Sequence, residues 1–289
     1  MRQQLRKILP VSFHTWWLYR RYRDLLYFKL FIRYFLLRQT PVVVFTIGKV
    51  GSLSVYSALK DHAFAFHLHL LSARGLQYRQ SLVDDGTPYE PWDLRAARWL
   101  QRYVIQPGRP IKIITLMRDP IATRISAFFH NLNEQLEDPT DIKGLSLDDL
   151  FERYREEYGS LRYYSDWYEI EFSEALGIDI FEYPFDRNKG YGIIKNENID
   201  ILLLTLESPQ SVREMAICGF LDMQDVELDT VNVASTKIYG EKYKKFKKQI
   251  NISAKVLDAN YESRTVRHFY KQDKIAQLRK QWEHSSTLE

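Results

Sequence analysis

Short apolar, β-branched runs at Pro41–Thr46, Phe64–His69 and Ile111–Met117 alternate with segments of helical spacing, and that alternation constrains this chain more than any other feature. A run such as Val42-Val-Val-Phe45 has no polar position to offer water, so it reads as a strand buried on both faces. Helical spacing recurs over Val55–Lys60, 92–104, Ile121–Leu132 and 146–176, the last ending at Gly177. Ile178–Tyr183 and Ile199–Leu206 read as further strands, and from Pro209 onward the pattern is mostly helical. Strands alternating with helices predict an α/β fold: a central parallel sheet with helices on both faces and a helical C-terminal part over 236–289. In such sheets a ligand sits beyond the carboxyl ends of the strands, so the loops after Thr46, Phe66 and Met117 should gather around it.

The chain of 289 residues can bury a sizeable core unaided, and its one cysteine, Cys218, excludes an internal disulfide. No run of about 20 apolar residues predicts a spanning helix, and no secretory signal is legible, so a cytoplasmic location is expected. Charge divides the chain into a basic aromatic arm, residues 1–40, and one α/β domain, residues 41–289. The arm holds nine basic side chains, ten aromatic residues and a single acid, Asp24. It carries +8, which leaves the other 249 residues at −4 within a net charge of +4. Leu25–Leu37 is apolar apart from Lys29 and Arg33, which share one helical face. Such a segment can lie peripherally at the inner membrane surface, or dock its aromatic side on the protein's own core. No nucleic-acid partner is expected.

Thr46-Ile-Gly48-Lys49-Val50-Gly51-Ser52-Leu53-Ser54 joins the first strand to a helix. Glycines let backbone N–H groups converge, and a helix N-terminus adds partial positive charge, so this loop suits an anion. Ser52 and Ser54 can cap the helix or donate to phosphate oxygens. The lysine precedes the second glycine, which is not the Gly-Lys-Ser/Thr order of a kinase or GTPase loop. The third strand ends in Arg118-Asp119-Pro120, where proline suits a first helical turn, and Ser126 follows two turns on. Arg118 offers a planar fork of donors for a phosphate.

Together these elements resemble the sulfotransferase superfamily that uses 3′-phosphoadenosine 5′-phosphosulfate (PAPS). Its first motif, strand then Thr-x-x-Lys-x-Gly-Ser/Thr then helix, is matched by Thr46 to Ser52. Its second, a strand ending in Arg with Ser eight positions on, is matched by Arg118 and Ser126. The stretches Asp166–Tyr191 and Val266–Trp282 resemble, more loosely, bacterial proteins described as capsular polysaccharide synthesis or sulfotransferase proteins. The resemblance implies the P-loop-like sulfotransferase fold and a sulfuryl transfer from PAPS to a hydroxyl of a polysaccharide or glycolipid. It implies that Lys49 neutralises the leaving oxygen and that Val50 to Ser54 hold the 5′-phosphate. Arg118 and Ser126 would hold the 3′-phosphate, and no metal would be required. The Arg-Lys-Gly segment of phenol and steroid sulfotransferases is absent; Asn232–Lys237 occupies a comparable position and favours a sugar acceptor.

A base for the acceptor hydroxyl should titrate near neutrality and sit at a strand end close to Lys49. His67 and His69 form a His-x-His pair whose side chains share one face of an extended segment. Sulfotransferases of uronic-acid glycans carry a similar pair, which implies a base at His69 first and His67 second. Glu169, Glu171 and Glu174 are an alternative source of a base, or helix-surface acids. Lys242, Lys244, Lys245, Lys247 and Lys248 interleave with Tyr243, Phe246 and Ile250, which predicts a helix with a basic outer face for water or for an anionic glycan. Two other classes stay open at this point: a small-molecule P-loop kinase, and a non-catalytic nucleotide- or polyanion-binding protein of capsule assembly.

Overall fold

The computed structural model describes residues 25–83, 91–158, 166–229 and 237–283; most of the basic arm and Asn232–Thr236 lie outside them. The protein is α/β, built on one five-stranded sheet in the order β2-β1-β3-β5-β4. The strands are β1 Val42–Phe45, β2 Ala65–Leu68, β3 Ile111–Met117, β4 Tyr191–Asn196 and β5 Ile199–Thr205. β1 pairs in parallel with β2 and β3, and β3 with β5, in a register that sets Val43 beside both Phe66 and Ile113. Val43, Val44, Phe45, Ile113, Ile114 and the run Ile201–Leu204 are wholly buried, so both faces of the central strands are covered.

The sheet is not purely parallel. β4 runs antiparallel to β5 and alternates between buried Ile194 and exposed Ile193, the pattern of an edge strand with one wet face. It reaches β5 through Glu197-Asn198, with Glu197 in the left-handed region at φ 47°. Ile178–Tyr183, which the sequence pattern predicts as a strand, holds a 3₁₀ turn at Ile180–Glu182 instead. The Asp179 side chain accepts the Phe181 N–H at 2.9 Å, a local bond that competes with a strand ladder.

The helices that matter for the site are α1 Ser52–Leu59, α2 Ala73–Ser81, α3 Trp92–Leu100, α4 Pro120–Gln135, α5 Leu147–Tyr158 and α6 Gln210–Leu221. They are followed by α7 Gly240–Gln249, α8 Ala254–Tyr261, α9 Arg264–Phe269 and α10 Gln272–Lys280. α4 and α7 share an aromatic seam in which Phe246 packs on Phe129 at 5.1 Å and on Phe128 at 5.7 Å. Of the helix predicted over 146–176, the described part is α5 and a π-helical turn at Tyr168–Ser173 that runs into Glu174–Leu176.

One buried carboxylate ties the C-terminal helices to the end of β3. Asp119 begins α4 and accepts the N–H groups of Ile121 and Ala122 at 2.8 and 3.1 Å. The same carboxylate accepts Tyr261 Oη at 3.1 Å and Trp282 Nε1 at 3.1 Å, so α8 and the end of α10 converge on it. Burial pushes its pKa up while most of these donors pull it down. By contrast Arg279, paired with Asp258 and Glu283, is a surface arrangement worth at most about 1 kcal/mol per pair. Asp119 outweighs it, because removing the carboxylate strands four donors, two of them on fully enclosed aromatic residues. Asp119→Ala should destabilise the fold by about 3 kcal/mol or more, while Asp258→Ala should cost under about 1 kcal/mol, both measured by urea unfolding.

Candidate functional site

The sheet order places its topological switch point between β1 and β3: β1 leads to β2 on one side, and the chain returns to β3 on the other. The loops leaving these two strands are Thr46–Gly51 and Arg118–Asp119, and they touch. Arg118 Nη1 donates to the Lys49 carbonyl at 2.8 Å. The two side chains of the Arg118-Asp119 pair therefore diverge, one toward the glycine loop and one into the core. A small pocket opens beside the contact, walled by Ile47, Val50, Met117 and Arg118 together with Tyr168 and Thr265.

The loop bends sharply. Lys49 and Gly51 both hold left-handed backbone, at φ 69° and 82°. A non-glycine residue in that region stores strain of order 1 kcal/mol, a cost that clusters at ligand sites. Gly51 is the residue before α1, and no side chain caps the helix there, so the Ser52 and Leu53 N–H groups lack a partner within the helix, while the Ser54 N–H donates to the Gly51 carbonyl at 3.2 Å. A Cβ on Gly51 would come within 2.9 Å of Leu206 Cδ1, so its small size also lets the loop lie against the end of β5.

The serines do not cap α1. Ser52 is buried and its Oγ lies 2.9 Å from His67 Nε2, and Ser54 donates its hydroxyl to the Asp229 carbonyl. Thr46 is fully buried with its hydroxyl unpaired, and it acts through its backbone: its carbonyl lies 2.6 Å from His69 Nδ1. A carbonyl can only accept, so His69 carries its proton on Nδ1 and leaves Nε2 as a lone pair. His67 and His69 meet edge to face at 4.8 Å, and His67 also stacks on Tyr56 at 5.5 Å.

These groups crowd one another electrostatically. Burial, then the Lys237 ammonium, bring Lys49 down to about 8. Burial, then His69, hold His67 at about 4. His69 keeps an edge open to water yet is surrounded by protein on its other sides; that desolvation, with Lys49 nearby, lowers its pKa, partly offset by the Thr46 carbonyl. Both histidines are thus neutral at pH 7. His130 is lowered by burial and then by Lys49, with Lys237 adding to it, and it pairs with Glu134 at 3.3 Å. Ser126, His130 and Glu134 recur at four-residue spacing along α4, which sets half-buried Ser126 on the face that turns to Lys49. Leu53 is half-buried in the first turn of α1.

The histidines are held from outside the glycine loop. Trp167 Nε1 donates to the His69 carbonyl at 3.0 Å. Glu171 accepts the N–H groups of Leu71 and Ser72 at 2.6 and 2.8 Å and the Ser72 hydroxyl at 2.9 Å. Glu171 is therefore not a surface acid but a buried anchor at the start of α2, while Glu169 and Glu174 pair with Arg264 and Arg74 at the surface. The basic helix α7 also departs from its predicted outer face. Lys244, Lys245 and Lys248 are exposed, but Lys247 turns inward over the rings of Trp282 and Tyr243, at 5.4 and 5.7 Å. It comes near enough to Arg118 for repulsion to lower its pKa after burial does. The sequence alone does not single out His130, Glu134 or the inward turn of Lys247; the four-residue step from Ser126 is the available signal for the first two. Among the described residues no cluster of His, Cys, Asp and Glu is arranged to hold a metal ion, and no helix is long and apolar enough to cross a membrane.

Residues 146–271 match the family model NKWYS, described as "Putative capsular polysaccharide synthesis protein". Neither a curated protein nor a solved structure matches the chain. The matched stretch begins after both loops of the switch point. It contains Tyr168, which walls the cavity, Trp167, Glu171 and Tyr261, which hold the loops in place, and Lys237 and Lys247, which add charge beside them. By sequence, then, this chain is similar over 146–271 to proteins of capsular polysaccharide synthesis.

Proposed function

We propose that this protein is a PAPS-dependent sulfotransferase with a P-loop-like sulfotransferase fold, acting on a carbohydrate hydroxyl during capsular polysaccharide synthesis. The observation that carries the reading is the meeting of the two strand-end loops, Arg118 donating to the Lys49 carbonyl at 2.8 Å just before the start of α1, where no side chain caps the helix. The ammonium groups of Lys49 and Lys237 are close enough to disfavour each other's charge, and an anionic ligand with more than one phosphate removes that cost. The likeness to a capsule-synthesis family supports a saccharide acceptor.

PAPS, when bound, supplies an activated sulfuryl group whose transfer breaks the bond from sulfur to the phosphate's bridging oxygen. The remaining tasks fall to the chain. The amides from Val50 to Ser54 would hold the 5′-phosphate, and Lys49 would place its ammonium on the leaving oxygen. Arg118 and Ser126 would hold the 3′-phosphate, Arg118 with the guanidinium nitrogens its bond to Lys49 does not use. His69 Nε2 would take the proton of the attacking hydroxyl, since its tautomer is fixed by the Thr46 carbonyl. His67, engaged at Nε2 by Ser52, positions the loop. No metal has a role in these steps.

3′-Phosphoadenosine 5′-phosphate at about a hundred times its dissociation constant should raise the melting temperature by about 5 °C or more, and ATP with magnesium should do less. Arg118→Ala should reduce that shift. Stabilisation by ATP with magnesium alone would point to a kinase and overturn the assignment.

A His69→Ala variant should keep the nucleotide-induced shift but lose about a hundredfold or more in kcat for sulfate transfer to a capsular glycan. The pH profile of kcat/KM reports the free enzyme. It should fall on the acid side below pH 6.5, as His69 takes up a proton, and on the alkaline side near pH 8, as Lys49 loses its own. Full activity in the His69 variant, or an alkaline limb unchanged by Lys49→Ala, would remove these assignments.

A further inference from the structure

Residues 25–31 are helical and continue into a π-helical turn at Ile32–Leu36. Only one edge of this segment docks on the domain. Leu30 is buried, Tyr34 packs edge-on against Trp99 at 5.2 Å and donates its hydroxyl to the Tyr103 carbonyl, and Arg109 lies over the rings of Tyr34 and Phe35. The other side carries an apolar stripe that stays largely exposed, Phe31 alone touching the Phe35 ring, at 5.1 Å. Leu25, Phe28 and Phe31 recur every three residues and are 59, 59 and 47% exposed, and Leu36 and Leu37 extend the stripe at 64 and 60%. Exposed apolar area of this kind marks a contact surface.

We propose that residues 25–37 form an interfacial anchor whose outward stripe inserts into the headgroup region of an anionic lipid bilayer. Charge selects the occupant. Lys29 and Arg38 are exposed beside the stripe, and the 24 residues that precede it add six more basic side chains against one acid, with Trp16 and Trp17 among them. A second protein surface would need to match both the apolar stripe and this dense positive charge, whereas an anionic bilayer meets both at once. No described helix is long and apolar enough to span, so the proposed contact is in the interface plane. The anchor packs against Phe64, just before β2, and Arg109, just before β3, at the amino ends of the strands. The loops of the switch point lie at the opposite ends, so the proposal stands or falls independently of the sulfotransferase reading.

The full chain should co-sediment with phosphatidylglycerol-containing vesicles, should bind phosphatidylcholine vesicles at least about tenfold more weakly, and should be released by rising sodium chloride. Phe28→Asp with Phe31→Asp should lower binding to the anionic vesicles about tenfold or more, while the melting temperature falls by at most a few degrees, since Phe28 is exposed and Phe31 gives up only its contact with Phe35. Lys29→Glu with Arg38→Glu should weaken binding by a similar factor and supplies the readout if the phenylalanine variant does not fold. The proposal is overturned if the chain ignores anionic vesicles, or if both variants bind them as the parent does. It is equally overturned if the chain is a solution dimer that Phe28→Asp with Phe31→Asp splits while vesicle binding stays absent, which would make the stripe a contact between copies.

Discussion

Two buried carboxylates, Asp119 and Glu171, set the geometry on which the rest of the site depends. Each accepts backbone N–H groups at a helix start, and each is close in sequence or by its bonds to a residue that faces the loops. Asp119 follows Arg118, and the amides held by Glu171 follow His69 by two and three positions. A helix start is a natural seat for an anion, so a fixed carboxylate there locks the first turn in place. Asp119 is locked in turn by Tyr261 and Trp282. Glu207 continues the chain of contacts, accepting the Asp119 N–H at 2.8 Å and the Tyr270 hydroxyl at 2.6 Å. Arg118 is thus aimed by residues from α8 to the end of α10, more than 140 positions away in sequence. A buried carboxylate is expensive to desolvate, and only a full set of donors offsets that cost. Both carboxylates have such a set, so they act as rigid posts.

The same logic separates these acids from the groups that face the loops. Lys49, His67, His69 and His130 have lowered pKa values because burial and neighbouring positive groups disfavour their charged forms. Among the described residues the acids near them are few: Glu134 beside His130 and Lys49, and the weaker influence of Asp93 on His69. Protein interiors tend to pair charges, and two ammonium groups beside an open helix start are the arrangement on which the proposed anionic ligand rests. The left-handed backbone of Lys49 fits this picture. Its strained backbone sets the carbonyl against Arg118 and leaves the side chain half-buried near Lys237. Structural carboxylates lie inside the protein and cationic groups line the loops, and the hydrogen bond from Arg118 to Lys49 joins the two systems.

The elements of the sheet are legible in proportion to how local their causes are. Val42–Phe45, Ile111–Met117 and Ile199–Thr205 are largely apolar runs, and each is a central strand. The meeting of the loops after Thr46 and Met117 is legible as well, because a sheet of this kind gathers the loops at the carboxyl ends of its strands. Ile178–Tyr183 misleads because apolar content alone does not separate a strand from a turn, and the Asp179 side chain decides for the turn with one hydrogen bond. β4 escapes for the opposite reason: Tyr191-Gly-Ile-Ile-Lys-Asn196 is half polar, and only pairing with β5 makes it a strand. Long-range causes leave no local mark. Glu171 reads as one acid of three on a polar helix face, and only contact with residues 71 and 72, about a hundred positions earlier, turns it into a buried anchor. Lys247 reads as one lysine of five, and only the rings of Tyr243 and Trp282 turn it inward toward Arg118. Residue type announces what chemistry a side chain can do, whereas whether it stands in water or holds a loop is decided by partners the local sequence does not contain.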